Sequence, residues 1–590
     1  MRFKSSKKNG ITVYAVTGTN TVSFAIDVDP SASTRLLGFS VERLDKKENE
    51  KYFLKGFKVF QSVVPHPDET TQVSTYEHPV QSCVWDDFTG KPGYTYTYYF
   101  YPVKGTPKKL EHLTPVEITV TMEELYSTKS PHQIFFNRGV ASSQAYARLF
   151  DNKKPSDLTG EKKQQALDWL GRDIPQAFKK FIGQAKRGDS LHGCLYEFSN
   201  DLVIGYLKEA IDRGVQVHLI LDAKLKKADA KHTAEENSKT RITTLEKLKA
   251  FKFPKSSYTL REVNPAAIQH NKFIVFGKKK GSETVPTAVL GGSTNITDGG
   301  IYGQANVVHI VNDPGVAGEY LAYWHVVKEH SATAGEADDD RAYKKEIEKL
   351  QKTITRDEIL ALKAEMTPVF SPRVGNKMLS SYIQLLDNAE KFGCVTLAFG
   401  ITKAFKEELA NNTQTSPVLF FLLEKEDKPS KKNPEAYVDL DAKNNIYEAF
   451  GAYINNPVYQ WTKETDTDKM GINHYVKYVH SKFMLVDPFG DDPILITGSA
   501  NFSPNSTSVN DENMLIIKSS KRAMDIYFTE FNRLFNHYYF RSLVASATGK
   551  QKQDHKGLFL LEDDSWIKTG YKKGSLRRKR IDILKNMKLK

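Results

Sequence analysis

Two short runs of polar residues recur along this 590-residue chain. The downstream run is His480-Ser-Lys482-Phe-Met-Leu-Val-Asp487, followed by Gly498-Ser499-Ala-Asn501. The upstream run is His270-Asn-Lys272, followed by Gly292-Ser293-Thr-Asn295. An imidazole, an ammonium and a carboxamide suit displacement at an anionic phosphorus. Lysines offset charge on the non-bridging oxygens and amides add neutral donors. One imidazole can attack while the other protonates the leaving oxygen. A lone His-x-Lys would carry no such meaning, since a single histidine is more often a core or surface residue. The repetition carries it. A third shared element is Asn510-Asp-Glu512, matched upstream by Gln304-Ala-Asn306. Glu512 and Asn306 each fall 11 residues after their asparagine, which makes them equivalent positions. The two histidines are 210 residues apart, room enough for one α/β half with its insertions. The pattern predicts one active site assembled from two halves of a single chain.

The elements that must position these groups follow from periodicity. Both motifs read as strands, over 268–276 and 478–486. On a strand, residues i and i+2 face the same way, so His270 projects with Lys272 and His480 with Lys482. A second strand (Thr287-Ala-Val-Leu; Ile494-Leu-Ile-Thr) then runs into the Gly-Ser-x-Asn turn, as in a hairpin. From about Phe135 onward strands and helices alternate. Leu191-His-Gly-Cys-Leu-Tyr-Glu-Phe reads as a strand, and Asn200 as the cap of a helix over 201–213. Gly214 ends that helix and Val215-Gln-Val-His-Leu-Ile-Leu-Asp222 is the next strand. The second half repeats the plan: a helix over 378–389, a strand from Cys394, a short helix from Phe405. The near-continuous apolar run Val418-Leu-Phe-Phe-Leu-Leu suits a strand covered on both faces. Residues from Gly10 to about Leu110 alternate with period two and predict a β-sandwich. The fold class is thus α/β, with two pseudo-symmetric halves preceded by a β-sandwich. The divisions are 1–115, 130–330, a connector at 331–366 read as exposed, 367–545, and a tail at 546–590.

This assembly resembles the phospholipase D superfamily, whose signature is His-x-Lys-x-x-x-x-Asp followed by Gly-Ser-x-Asn. The downstream copy is complete through Asp487, whereas Gly277 stands where the upstream copy would have Asp. The resemblance covers roughly 135–539. It implies a phosphodiesterase working through phosphohistidine, with His270, Lys272, Asn295, His480, Lys482, Asn501 and Glu512 catalytic. Asp487, Ser293, Ser499 and Asn306 would support them. In the family the N-terminal histidine is commonly the nucleophile and the Asp supports the fold, which makes its loss at Gly277 tolerable. If each histidine pairs within its own repeat, Glu512 holds His480 protonated as the acid and neutral Asn306 leaves His270 free to attack. The stretch Trp85-Asp-Asp-Phe-Thr-Gly-Lys-Pro-Gly-Tyr-Thr-Tyr resembles a late strand of fibronectin type III domains, a module assigned no chemistry.

Substrate is less sharply written. A net charge of +13 favours polyanionic partners, either nucleic acid or an anionic membrane surface. Phospholipid headgroup cleavage or transfer is the first reading, with peripheral membrane contact. A nuclease or DNA-end-processing phosphodiesterase is the alternative. The odd, scattered Cys83, Cys194 and Cys394 fit reduced core thiols, and no spacing suggests a metal site or cofactor. The basic start lacks an apolar segment of secretory length, so the expectation is a cytoplasmic enzyme. Both half-sites lie in one chain, so activity as a monomer is expected and no partner protein is implied. The basic tail Lys572-Lys573-Gly-Ser-Leu-Arg577-Arg578-Lys579-Arg580 reads as a solvated, disordered end.

Overall fold

The computed structural model describes residues 1–67, 71–138, 146, 149–151, 153, 155–224, 233–262, 267–331, 337–424, 440–450, 479–547 and 559–589. The N-terminal region forms two antiparallel sheets. One contains Arg2–Lys4, Ile11–Thr17, Val22–Val28 and Val84–Asp87. The other is built on Gly38–Asp45 and Thr95–Thr106, flanked by Glu50–Phe53, Lys109–His112 and Val116–Thr121. The sheets pack face to face, with the Phe24 ring 4.8 Å from Tyr98 and 5.1 Å from Phe100. The alternating pattern predicts one wet face, yet every residue of Ile11–Thr17 is buried. The outer face is covered by the helix Lys521–Ala547 and by the C-terminal helix Leu576–Lys585.

That last helix corrects the reading of the tail as solvated. Phe559–Leu560 pairs with Val59–Phe60, and the Trp566 indole donates to Leu36 O at 2.7 Å. Ile581, Leu584 and Met587 are buried. Arg578 and Lys585 both bridge to Asp27, at 3.0 and 2.6 Å. The basic residues mask an apolar stripe, and the stripe decides where the segment goes. Residues 548–558 of that tail lie outside the described residues.

The remaining chain holds two sheets whose strands are numbered here in order. The first has β1 (His132–Phe136), β2 (Ser190–Leu195), β3 (Gln216–Asp222), β4 (Tyr258–Arg261), β5 (Lys272–Lys280), β6 (Glu283–Gly292) and β7 (Val307–Val311). The second has β8 (Met366–Ser371), β9 (Phe392–Leu397), β10 (Val418–Leu423), β11 (Ile446–Phe450), β12 (Phe483–Val486), β13 (Ile494–Gly498) and β14 (Glu512–Lys518). The first sheet runs β1-β7-β6-β5-β2-β3-β4 and the second β8-β14-β13-β12-β9-β10-β11. Every strand therefore has a mate seven numbers on, in the same place. β2, β3 and β4 are mutually parallel, as are β9, β10 and β11; the other neighbours are antiparallel. The mixed α/β fold is thus two repeated halves behind a β-rich region.

Local signals explain several boundaries. Asn200 caps the helix Asp201–Asp212 by accepting from Val203 N at 3.0 Å. Gly214 takes a φ of +84° at its end. The connector is not an exposed strap. Its helix Ala337–Leu350 buries Tyr343 and Ile347 against the core. Residues 332–336 lie outside the described residues. Among the described residues no helix is long and apolar enough to cross a membrane.

Candidate active site

The strands begin later than the motifs suggest. β5 starts at Lys272 and β12 at Phe483, so both histidines precede their strands. Tyr478, the predicted start of the second, lies outside the described residues. Each histidine is instead held by a bridge to the other half. Gln269 pairs with Asp511 and Val479 with Ala305, both in parallel. His270 N–H donates to Asp511 O at 3.0 Å, and His480 N–H to Ala305 O at 3.2 Å. An acidic side chain at the end of a parallel strand fixes the amide just before each histidine. Asp222 accepts from Gln269 N at 3.0 Å, and Glu424 from Val479 N at 2.8 Å.

These bridges carry the side chains across with them. Asp511 precedes Glu512 and Ala305 precedes Asn306, so each histidine meets the partner from the opposite repeat. His270 Nδ1 lies 2.9 Å from both Glu512 carboxylate oxygens. His480 Nδ1 lies 3.0 Å from Asn306 Oδ1. This corrects the expectation that each histidine pairs within its own repeat. The repeats do supply the next contact themselves. Ser293 Oγ donates to Asn306 Oδ1 at 2.8 Å, and Ser499 Oγ to Glu512 Oε2 at 2.6 Å. Both spans are 13 residues, the turn-to-strand distance in each half. At the upstream turn Gly292 takes a φ of +134°, a conformation that suits glycine.

The contacts fix the imidazole tautomers. Asn306 Nδ2 donates to Gly300 O at 2.8 Å, which orients its amide and leaves Oδ1 as an acceptor. His480 must therefore carry its proton on Nδ1, as must His270 against the ionised Glu512 carboxylate. In each neutral ring Nε2 then holds the lone pair.

The site is buried and dense in charge. His270, Lys272, His480 and Lys482 are at most 6% exposed. Burial, then Lys272 and Lys482, holds His270 well below the ordinary imidazole range. Burial, then the two lysines and His270, does the same to His480. That these four groups feel one another's charge marks them as one cluster. Burial and Lys272 depress Lys482, and Lys272 is brought down to about 8 despite nearby carboxylates. Burial lifts Glu512 to about 7 against the pull of Lys272. Each lysine donates to its own histidine carbonyl at 2.6 Å. Tyr196 flanks the cluster, its ring 4.9 Å from His270 and 5.0 Å from Lys272 Nζ.

Asn295 and Asn501 stand at the two Gly-Ser-x-Asn turns, and each keeps a buried Oδ1 with no hydrogen-bond partner in the protein. Asn295 Nδ2 donates to Glu197, a residue that no sequence pattern singled out. Asp487 does not enter the cluster. Its carboxylate accepts from the amides of Glu390, Lys391 and Phe392 at 2.6, 2.8 and 3.1 Å, tying β12 to the start of β9. The upstream half keeps this tie with the carboxylate moved to the other strand. Asp189, just before β2, accepts from Lys279 N of β5 and from Lys186 N, both at 2.9 Å. Gly277 has its own reason: a Cβ there would collide with Ser190 Oγ, beside an irregularity in the β5–β6 pairing.

Asp511 also anchors the site from behind. It forms a buried ion pair with Arg261, accepts from Tyr343 Oη at 2.8 Å, and so joins both halves to the connector helix. Of the aromatics near the motifs, Phe198 and Phe502 are core residues, whereas Phe399 is 66% exposed.

Residues 178–326 and 429–535 match the family model described as cardiolipin synthase, PLD-like domain. Each of the two repeated halves thus carries one stretch that is similar to a phospholipase D-like domain. No curated protein matches the chain in sequence. Among solved structures, phosphatidylserine synthase of Haemophilus influenzae Rd KW20 is 11% identical, with a TM-score of 0.42 over 66% of this chain and 94% of that one. Yeast tyrosyl-DNA phosphodiesterase is 14% identical, with a TM-score of 0.27 over 59% and 87%. Polyphosphate kinase of Porphyromonas gingivalis is 8% identical with a TM-score of 0.37 over 64% of this chain, which spans about half of that protein (48%).

Proposed function

We propose that this protein is a phosphodiesterase that cleaves or transfers a phospholipid headgroup through a phosphohistidine on His270. The observation that carries the reading is the crossed pairing: His270 with Glu512 and His480 with Asn306. It supports the same assignment of roles as the sequence, for the opposite reason. Glu512 holds the Nδ1 proton of His270, aims Nε2 at phosphorus, and offsets the positive charge that the imidazole gains on attack. Asn306 fixes His480 without adding negative charge, so a protonated His480 gives up its proton readily.

In the first step His270 Nε2 forms the N–P bond as the ester P–O bond breaks, and His480 Nε2–H protonates the departing oxygen. In the second, water or an alcohol attacks phosphorus, the N–P bond breaks, and neutral His480 takes the proton. Lys272 and Lys482 offset the charge on the non-bridging oxygens, with Asn295 and Asn501 beside them. Side chains supply every role, so a chelator should leave the rate unchanged within about twofold.

The family model's description, cardiolipin synthase, supports lipid over nucleic acid. The test is purified enzyme, with chelator, on labelled phosphatidylcholine and phosphatidylglycerol vesicles, and separately on single- and double-stranded DNA and RNA. Headgroup release without nucleic acid cleavage is the expected result, with added alcohol captured as a phosphatidyl product. Nucleic acid cleavage with intact lipid would overturn the substrate reading.

A further inference from the structure

Glu197 lies two residues beyond Leu195, which stands opposite Lys272 in the neighbouring strand. Its φ is +53°, a region that side chains with a Cβ visit at a cost and keep where the surroundings impose it. Its carboxylate accepts from Asn295 Nδ2, and its charge is felt by both Lys272 and Lys482. The carboxylate therefore sits in the cluster proposed to hold phosphate. An acidic group there repels a phosphate, and the Nδ1 partner of each histidine is another residue, Glu512 or Asn306.

A second observation points the same way. Asn295 is 4% exposed, and its Oδ1 has no hydrogen-bond partner. The Glu197 carboxylate fixes which way this amide faces, because the flipped amide would set oxygen against oxygen. Buried acceptors call for donors, and a phosphate brings only acceptors. Asn501 shares the orphaned amide oxygen, but the carboxylate beside it belongs to one half alone. Val395 pairs with Met484, which puts Leu397 opposite Lys482 and makes Phe399 the mate of Glu197. Phe399 is 66% exposed and offers no acceptor in its side chain.

We propose that Glu197 and Asn295 Oδ1 form a subsite for a hydroxyl or ammonium group carried on the ester arm next to the phosphate. The subsite rests on the phosphodiesterase reading and deepens it, since it selects diesters of amino alcohols and polyols over plain alkyl diesters. A carboxylate–ammonium bond is charge-assisted and a carboxylate–hydroxyl bond less so, which orders the preference.

The test compares ethyl, 2-hydroxyethyl and 2-aminoethyl p-nitrophenyl phosphates with wild-type enzyme and Glu197→Gln. Wild type should favour the 2-aminoethyl over the ethyl ester at least tenfold in kcat/KM, mainly through KM, with the 2-hydroxyethyl ester between. Glu197→Gln should collapse the aminoethyl-to-ethyl ratio to within about threefold of one. Equal losses on all three esters, the ratio intact, would mean that Glu197 is only a strut for Asn295 and would overturn the subsite. A calorimetric arm with 2-aminoethyl ethyl phosphate and diethyl phosphate as ligands separates binding from chemistry. Preferential binding of the amine without turnover of any ester would sink the phosphodiesterase reading and leave the subsite standing. Turnover without preference would do the reverse.

Discussion

His270 and His480 differ in the charge of the group that faces Nδ1: a carboxylate for one and a neutral carboxamide oxygen for the other. Removing the carboxylate charge with Glu512→Gln should lower kcat by about 10²–10⁴-fold, as loss of the orienting acid does in a histidine–carboxylate pair. Adding one with Asn306→Asp should raise the His480 pKa. In the free enzyme His480 sits below its ordinary 6.5 through burial and the two lysines. The acid form is therefore lost on the acid side of 6.5, and kcat/KM should fall as pH rises through that region. A pH–rate profile of Asn306→Asp should show this alkaline limb moved upward; an unmoved limb would remove His480 from the role of acid. The residue types and spacings of this site are written in the sequence, and the equal 11-residue offsets correctly paired Glu512 with Asn306 as equivalents. Which histidine each one meets was not legible, because that contact is set by bridges between halves, through Asp511 and Ala305. Glu197 left no trace either, since its mate in the second repeat is Phe399.

The strands and turns that carry these groups are tied by carboxylates accepting backbone amides. Asp487 binds three amides at the start of β9, and Asp189 performs the same tie from the opposite strand upstream. Asp487→Ala should therefore cost about 1–3 kcal/mol by chemical denaturation, from loss of these charge-assisted bonds. Asp189→Ala should cost a similar amount, whereas a denaturation midpoint unchanged in either variant would show that the tie carries little. The apolar run 418–423, the cap at Asn200 and the turn at Gly214 were legible because each follows from local physics. The exchange of Asp for Gly at 277 was legible only as a gap. Its compensation lies 88 residues upstream at Asp189, and strand pairing, rather than sequence order, brings the two together.

Taken whole, the molecule places the histidine–lysine cluster where its two halves meet, with the connector helix behind. The buried Arg261–Asp511 pair joins both halves, with Tyr343 of the connector bound to the same carboxylate. Asp511→Ala leaves the Arg261 charge buried and unpaired, and should cost about 3–5 kcal/mol in urea unfolding. His270, His309 and His480 are all buried with pKa values well below 6.5. Their contribution to stability is complete above pH 6.5 and is lost as pH falls, by up to about 1.4 kcal/mol per pH unit for each. Acid titration of the urea midpoint checks the slope. The basic charge of the C-terminal segment hid its role in the sequence, since the apolar stripe of Ile581, Leu584 and Met587 decides its docking. The central claim is that His270 attacks and His480 serves the leaving group in one shared site. The most direct measurement is peptide mapping by mass spectrometry of His480→Ala, quenched after incubation with bis(p-nitrophenyl) phosphate, whose leaving group needs little protonation. The account predicts a nitrophenyl phosphoryl group on His270 and none in the His270→Ala enzyme; a label on His480 in His270→Ala, or turnover surviving that substitution, would contradict it.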